Sequence, residues 1–306
     1  LSLTPDIGYL HTGIEKTFEH KTYVKGCTLA PRMGYLSPLH NELAYVLAVE
    51  RLLGVDVPDR ATVTRVILCE LDRVASHLVC LGIHALDLGA SSMMLYAFRE
   101  RELILDLVEM TGGQRMFPSY FRPGGLACDL PDGFREAVAE ILRRLPPAID
   151  EYETLLTGNA FWRERTVGVA RITADQAVAW GVTGPILRAT GVAYDLRKAV
   201  PYCGYETYDF AVPTATAGDA YARYLVRIGE MREAVKIASQ ARDRLPGGPW
   251  ITADRKVAPP PKHELYDSME AVIHHFKLWT EGFRAPEGYV VTAVASLDPV
   301  LGEVDR

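Results

Sequence analysis

The stretch TRVILCELDRVASHLVCLGIHALDLGA, Thr64 to Ala90, constrains this chain more than any other. Its apolar residues fall nearly all the way round a helical wheel, so neighbouring elements must cover it on most sides. The pattern predicts a long central helix from about Arg60 to Leu88 in a mainly helical protein. Polar groups inside such a helix cost on the order of 1–3 kcal/mol each unless they are partnered. His77, His84 and Asp87 are therefore candidates for chemistry. His84 and Asp87 lie three apart, on one face, within reach of each other. The plainer reading is a satisfied core histidine and a helix-terminal aspartate that caps the following segment.

The rest of the chain supplies the surroundings. Ser37-Pro38 reads as a helix start, with a hydroxyl N-cap and a proline at the first helical position. Leu39, Leu43, Val46, Leu47, Leu52 and Leu53 follow at helical spacing, and Gly54 ends the run. Further helices are expected at about 92–110, 132–144 and 148–157, the last two separated by Pro146-Pro147. A short helix starts at a Thr173 N-cap and ends at Gly181; longer ones cover about 218–243 and 267–281. YETYDFAVP, 205–213, alternates with period two and predicts a strand. The expected fold is mainly α (α+β). It forms one domain over 1–306: strands and loops to about residue 36, a helical core over 37–288, and a tail over 289–306.

Several function classes drop out on composition and motif. A formal net charge of -6 and the lack of any basic run argue against a nucleic-acid footprint. No window approaches eighteen consecutive apolar residues, and LSLTPDIGYL lacks the basic and apolar regions of an export signal. The five cysteines, Cys27, Cys69, Cys80, Cys128 and Cys203, are scattered and form no CxxC pair, which suits a reducing compartment. No GxGxxG, GxxxxGK[ST] or GxSxG motif occurs, so neither a familiar nucleotide cradle nor a serine nucleophile is expected. Glu270, His274 and His275 in SMEAVIHHFK have metal-ligand spacing, but a structural helix is the better reading without a third ligand nearby. Arg115, Tyr120 and Arg122 surround the glycines of GGQRMFPSYFRPGG, either as an anion or docking loop or as a surface loop with snorkelling arginines. The most unusual loop is APRMGYLSPLHNE, 30–42, where Arg32 and Tyr35 stand among the helix breakers Pro31, Gly34 and Pro38.

Several segments together carry a resemblance: HTGIEKTFEHKTY (11–23), PRMGYLS (31–37), AVERLLG (48–54), HALDLGA (84–90), RPGG (122–125), YDLRKAVPY (194–202), SMEAVIHHFKLWTEGF (268–283) and SLDPVLGEVDR (296–306). In this order they resemble the D subunit of NADH:quinone oxidoreductase, respiratory complex I, a family related to the large subunit of nickel–iron hydrogenases. The resemblance implies a hydrogenase-large-subunit-like helical core with β-rich margins. Hydrogenases hold their metals with cysteine pairs in RxCxxC and DPCxxC. The corresponding positions here are Gly34 and Ser37, and Val300 and Glu303. With four thiolates gone, a soft nickel–iron site cannot be assembled.

In the resembled family the vacated pocket receives the head group of a quinone, the substrate. By resemblance Tyr35 hydrogen-bonds a quinone carbonyl, a task suited to a phenol that stays neutral near pH 7. Arg32 matches an arginine beside an iron–sulfur cluster carried by a neighbouring subunit, and Asp87 matches the carboxylate of the quinone cavity. The implied partners are that iron–sulfur subunit, the other peripheral-arm subunits and a membrane-arm subunit completing the quinone tunnel. The implied location is peripheral, on the cytoplasmic face of the cell membrane. NADH is oxidised on other subunits, and quinone reduction is coupled to proton pumping. The sequence departs from the family in four places. Residues 1–306 contain no HPxxHG motif, whose histidine in the family pairs with the Asp87 position, and no strand-rich stretch before residue 291. It has Gly34 for an aspartate and Phe117 for a histidine. A structural or assembly paralogue, or the equivalent subunit of an F420-type dehydrogenase, are the alternative readings.

Overall fold

The computed structural model describes residues 2, 4–295 and 299–305, with side chains described for residues 2 and 4–295. Its centre is the helix expected from the apolar run, α4, Asp59–Asp87. Three helices form its immediate surroundings: α3 (Pro38–Leu53), α5 (Ser92–Gly112) and α11 (Ala220–Arg244). α4 packs most extensively against α11 and α5, and α6 (Phe134–Leu156) closes the bundle against α5 and α11. Short helices α7 (Ala160–Thr166), α8 (Ala174–Ala179), α9 (Gly184–Arg188) and α10 (Leu196–Ala199) line the route from α6 to α11. α12 (Glu264–Asp267) and α13 (Met269–Thr280) precede a hairpin of β3 (Tyr289–Ala295) with β4 (Pro299–Asp305). That hairpin lies on α3, where the Thr292 hydroxyl donates to the Ala44 carbonyl at 3.0 Å.

Four local expectations are corrected. Residues up to about 36 were expected to carry strands; the described ones form α1 (Ile14–Glu19), α2 (Tyr23–Gly26) and a 3-10 turn, Ala30–Met33. Pro146-Pro147 do not divide a helix, because the stripe Phe134, Val138, Ile141, Leu145, Ile149, Tyr152 and Leu156 stays in phase and buried through them. Both prolines face solvent, so water can satisfy the carbonyls that they leave without a helical partner. YETYDFAVP is not a strand: after a 3-10 turn at Tyr205–Thr207 it runs extended without a ladder. Side chains of α11 take its backbone groups instead, with Gln240 serving both the amide and carbonyl of Asp209 and Glu233 the amide of Ala211. Ser37 occupies the N-cap position of α3, but its hydroxyl makes no cap and bonds the Ser76 hydroxyl at 3.2 Å.

The central helix carries buried charge, and each charge is met. Arg65 holds Glu50 with two bonds, at 2.6 and 3.0 Å, and donates to the carbonyls of Arg122 and Gly125. Those carbonyls belong to a tight hairpin, β1 (Phe121–Arg122) and β2 (Gly125–Leu126), whose turn is Pro123-Gly124. Gly125 has φ 154, and a Cβ there would stand 2.3 Å from the Trp250 carbonyl oxygen, so the RPGG glycines serve close packing. Glu70 accepts from Arg73 at 3.1 Å, from Arg197 at 3.0 Å and from the Tyr205 hydroxyl at 2.6 Å. Burial opposes its ionisation, yet the two guanidiniums outweigh burial and hold the carboxyl below its usual value. His77 donates Nε2–H to Glu230 at 2.8 Å, and Arg188 donates to the other oxygen at 2.6 Å. Burial lowers the pKa of this imidazole, and its Nδ1 is a buried acceptor with no hydrogen-bond partner.

Candidate functional site

The loop in front of α3 is held from behind. Ala30 and Pro31 are buried, and the Gly34 carbonyl accepts from the Asn41 amide at 3.2 Å. Gly34 has an extended backbone, φ -157, so no positive φ demands a glycine there. With its backbone fixed, the loop turns Arg32 and Tyr35 outward, Tyr35 being 62% exposed. The Tyr35 hydroxyl makes no hydrogen bond among the described residues. Arg32 donates to the Thr28 carbonyl, and its guanidinium lies over the Phe117 ring, 5.5 Å from the centroid. Phe117, the departure from the family's histidine, thus keeps an aromatic face against Arg32.

Tyr35 stands at a narrow cleft with walls of Leu36, Pro38, Ala75, Ile104, Leu105, Val108 and Met116. Asp72, Arg101 and Arg115 also line it. Sequence reasoning did not single out Asp72 or His40. His40, fully buried at the start of α3, contacts Asp72 through Nδ1 at 3.0 Å and Arg73 through Nε2 at 3.3 Å. A guanidinium can only donate, so Nε2 accepts and Nδ1–H donates to the Asp72 carboxylate. Burial pushes the imidazole down to about 4, which leaves it neutral near pH 7. Burial also raises the Asp72 carboxyl, while His40 and the first amides of α3 favour its charged form. Asp72 thereby does for α3 what Ser37 was expected to do. The available signal was an aspartate on the face of an otherwise apolar helix.

Asp87 is elsewhere. It is the last residue of α4, exposed, with no hydrogen bond or ion pair among the described residues. It lies twelve residues beyond Ala75, roughly 18 Å along the helix axis, so this chain does not bring it into the Tyr35 cleft. His84 feels the Asp87 charge without a direct bond; burial and then Arg227 lower its pKa, and Asp87 opposes them. Its ring meets Trp162 edge-on at 5.1 Å. Between the Tyr35 cleft and Asp87, α4 exposes Ile83 and Leu86.

The remaining candidates resolve into structural roles. Arg115 is exposed and paired with Glu102 at 2.5 Å and Asp106 at 3.4 Å. Tyr120 is buried, its hydroxyl donating to the Cys128 carbonyl at 3.0 Å, and Arg122 lies near Cys27 and Glu42. Glu270 and His274 share a face of α13, 3.6 Å apart. Among the described residues no group of three His, Cys, Asp or Glu side chains is placed to hold a metal. Ser296, Leu297 and Asp298 of the closing motif, with Arg306, lie outside the described residues, as do the side chains of Val300 and Glu303.

Fold and site together define a mainly helical subunit whose α3 entry loop carries Arg32, Gly34, Tyr35 and Ser37, the glycine and serine standing where the resembled metalloenzymes carry thiolates. Comparison with known proteins gives the family. The sequence model described as "Respiratory-chain NADH dehydrogenase, 49 Kd subunit" matches residues 87–294, and the chain belongs to that family. One NADH-quinone oxidoreductase D subunit of Roseiflexus sp. (strain RS-1) is 62% identical over 299 residues, covering 97% of this chain and 72% of that protein. A D subunit of the same enzyme from Chloroflexus aurantiacus is 59% identical over 305 residues, covering 99% and 74%. The D subunit from Citrifermentans bemidjiense is 53% identical over 300 residues, covering 98% and 77%. The family match includes Asp87, and the relatives' alignments extend over the Tyr35 loop as well.

Proposed function

We propose that this chain is the quinone-site subunit of a proton-translocating NADH:quinone oxidoreductase. The observation that carries the reading is Tyr35: a phenol with an unengaged hydroxyl, presented by a fixed loop at a cleft with apolar walls. Such a hydroxyl can donate to a quinone carbonyl. The cleft itself encloses only about 10 Å³, so a partner subunit would complete the space for the ring over these apolar walls. Arg32 would face an iron–sulfur cluster on the neighbouring subunit, its permanent charge favouring the reduced cluster. Electrons would come from that cluster, while this chain supplies position, hydrogen bonds and protons. The exposed strip Ile83 and Leu86 supports a tail path that runs along α4 towards Asp87, whose carboxyl group would feed a proton relay leading to the ring through the completed site.

The chain covers one wall of the site, so partner subunits would complete it, and no activity is expected from the chain alone. No described helix is long and apolar enough to cross a membrane, and attachment at the cytoplasmic face would run through those partners. The test is Tyr35→Phe in the assembled complex. Loss of one hydrogen bond to the ligand should weaken quinone turnover by roughly tenfold or more while the complex stays assembled. Unchanged turnover and unchanged quinone affinity would sink the assignment. The same result with intact assembly would favour the structural paralogue.

A further inference from the structure

Four consecutive charged residues on α5 show an imbalance that falls at the Tyr35 cleft. Arg99 is bound to Glu100 at 2.6 Å and to Glu151 at 2.7 Å, and Glu102 accepts from Arg115. Arg101, between them in sequence, makes no ion pair and no hydrogen bond among the described residues. Its Nε is buried without a partner, and its guanidinium lies 5.4 Å from the centre of the Phe98 ring. The cleft's other charged groups are directly bonded, Arg115 to Glu102 and Asp106, and Asp72 to the neutral His40 imidazole. Arg101, half-buried, is therefore the cation lining this cleft that no described residue meets directly; the Glu102 and Asp72 carboxylates act on it only through space. Burial of the guanidinium outweighs those two distant charges, so a negative group in direct contact with it would be favoured.

We propose that Arg101 holds the negative charge that appears on a ring oxygen of the ligand seated at Tyr35 when that ring is reduced. This deepens the quinone reading and rests on it. A quinone that accepts two electrons from the partner's iron–sulfur centre carries negative charge on its two oxygens until two protons arrive and give the neutral quinol. Tyr35 can donate a hydrogen bond and pass a proton. Arg101 can only donate hydrogen bonds, because a guanidinium does not deprotonate in a protein. Its contribution is therefore weak towards the neutral quinone and strong once charge has developed. An interaction that strengthens along the reaction is the kind that speeds it. The apolar residues Leu36, Ile104, Leu105 and Met116, which line the same cleft, favour a flat ring over a carboxylate from a neighbouring protein.

The experiment compares two probes on the assembled complex: a hydroxynaphthoquinone that is ionised at neutral pH, and its uncharged methyl ether. Arg101→Gln should weaken binding of the ionised probe by roughly tenfold or more and leave the methyl ether within about twofold. Arg101→Lys, which keeps the charge, should recover much of the loss. Equal weakening of both probes, no weakening of either, or release of a partner subunit at unchanged probe affinity overturns the proposal. If the unmodified complex binds neither probe, the quinone reading itself fails and takes this proposal with it. If it binds both but Arg101→Gln does not discriminate between them, only the role of Arg101 is lost.

Discussion

Glu42 offers a test of how this core is held that does not depend on function. On α3, fully enclosed, its Oε2 accepts the backbone amides of Tyr120 at 2.9 Å and Phe121 at 3.0 Å. Its Oε1 is buried with no hydrogen-bond partner. Burial pushes the carboxyl up to about 7, although the backbone amides and the Arg122 charge pull the other way. Glu42→Gln keeps an acceptor for the two amides and removes the charge. A folded value above the unfolded one means that holding the proton stabilises the fold fully below about pH 4.5, and that this contribution is lost as pH rises through about 7. The unmodified chain should therefore lose stability across that window relative to the variant. Raising the carboxyl from 4.5 to about 7, at 1.36 kcal/mol per pH unit, amounts to about 3 kcal/mol. Urea unfolding of both chains, followed by circular dichroism across about pH 4 to 8, measures the gap. His40 and His77, whose pKa values burial lowers, act with the opposite sign, losing stability as pH falls, but they are common to both chains and cancel. A gap that does not vary with pH, or a variant less stable above pH 7, would refute the reasoning.

Two further substitutions probe the network and the loop. Arg197→Met should destabilise the chain by about 3–5 kcal/mol in the same urea assay, because Asp195 and Glu70 each lose a buried partner. Gly34→Asp should change stability by less than about 1 kcal/mol, since the backbone there is extended and the atom nearest an added Cβ, at 3.1 Å, is the movable amide tip of Asn41. A larger loss would mean that the loop needs glycine for packing.

The helical core was legible because its signals are local. α3 ends at Gly54 in the left-handed region as expected, and α8 begins with the Thr173–Gln176 capping box. α4 was betrayed by composition alone. Two of the failures arise where packing or distant side chains overrode a local pattern. Gln240 and Glu233 took the backbone groups that would have made 205–213 a strand. The buried stripe of α6 carried the helix through two prolines. The site divides in the same way. Arg32 and Tyr35 stood out as odd polar residues among breakers, and Asp87 needed the family resemblance. The His40–Asp72 pair was hidden because its members are thirty-two residues apart in sequence. Arg101 was hidden because a guanidinium without a direct partner cannot be seen until its neighbours' partners are known.

The loop before α3 raises a physical question of its own. In a metalloenzyme the metal itself would fix this loop through its thiolate ligands. Here the two corresponding residues are a glycine and a serine, and neither can bind a soft metal as a thiolate does. The order is supplied by other bonds: the Asn41 amide on the Gly34 carbonyl, the Ser37–Ser76 hydroxyl pair, and Asp72 at the first amides of α3. Every one of these bonds engages the backbone or Ser37, and none engages Tyr35. The loop can therefore be rigid while its phenol stays unbonded, a combination that a ligand-binding hydroxyl requires, because any internal bond would have to be broken first. On this view the loss of the thiolates and the freedom of Tyr35 are two sides of one rearrangement. Hydrogen bonding confined to the rear of the loop leaves its front open, as the proposed quinone contact at Tyr35 requires.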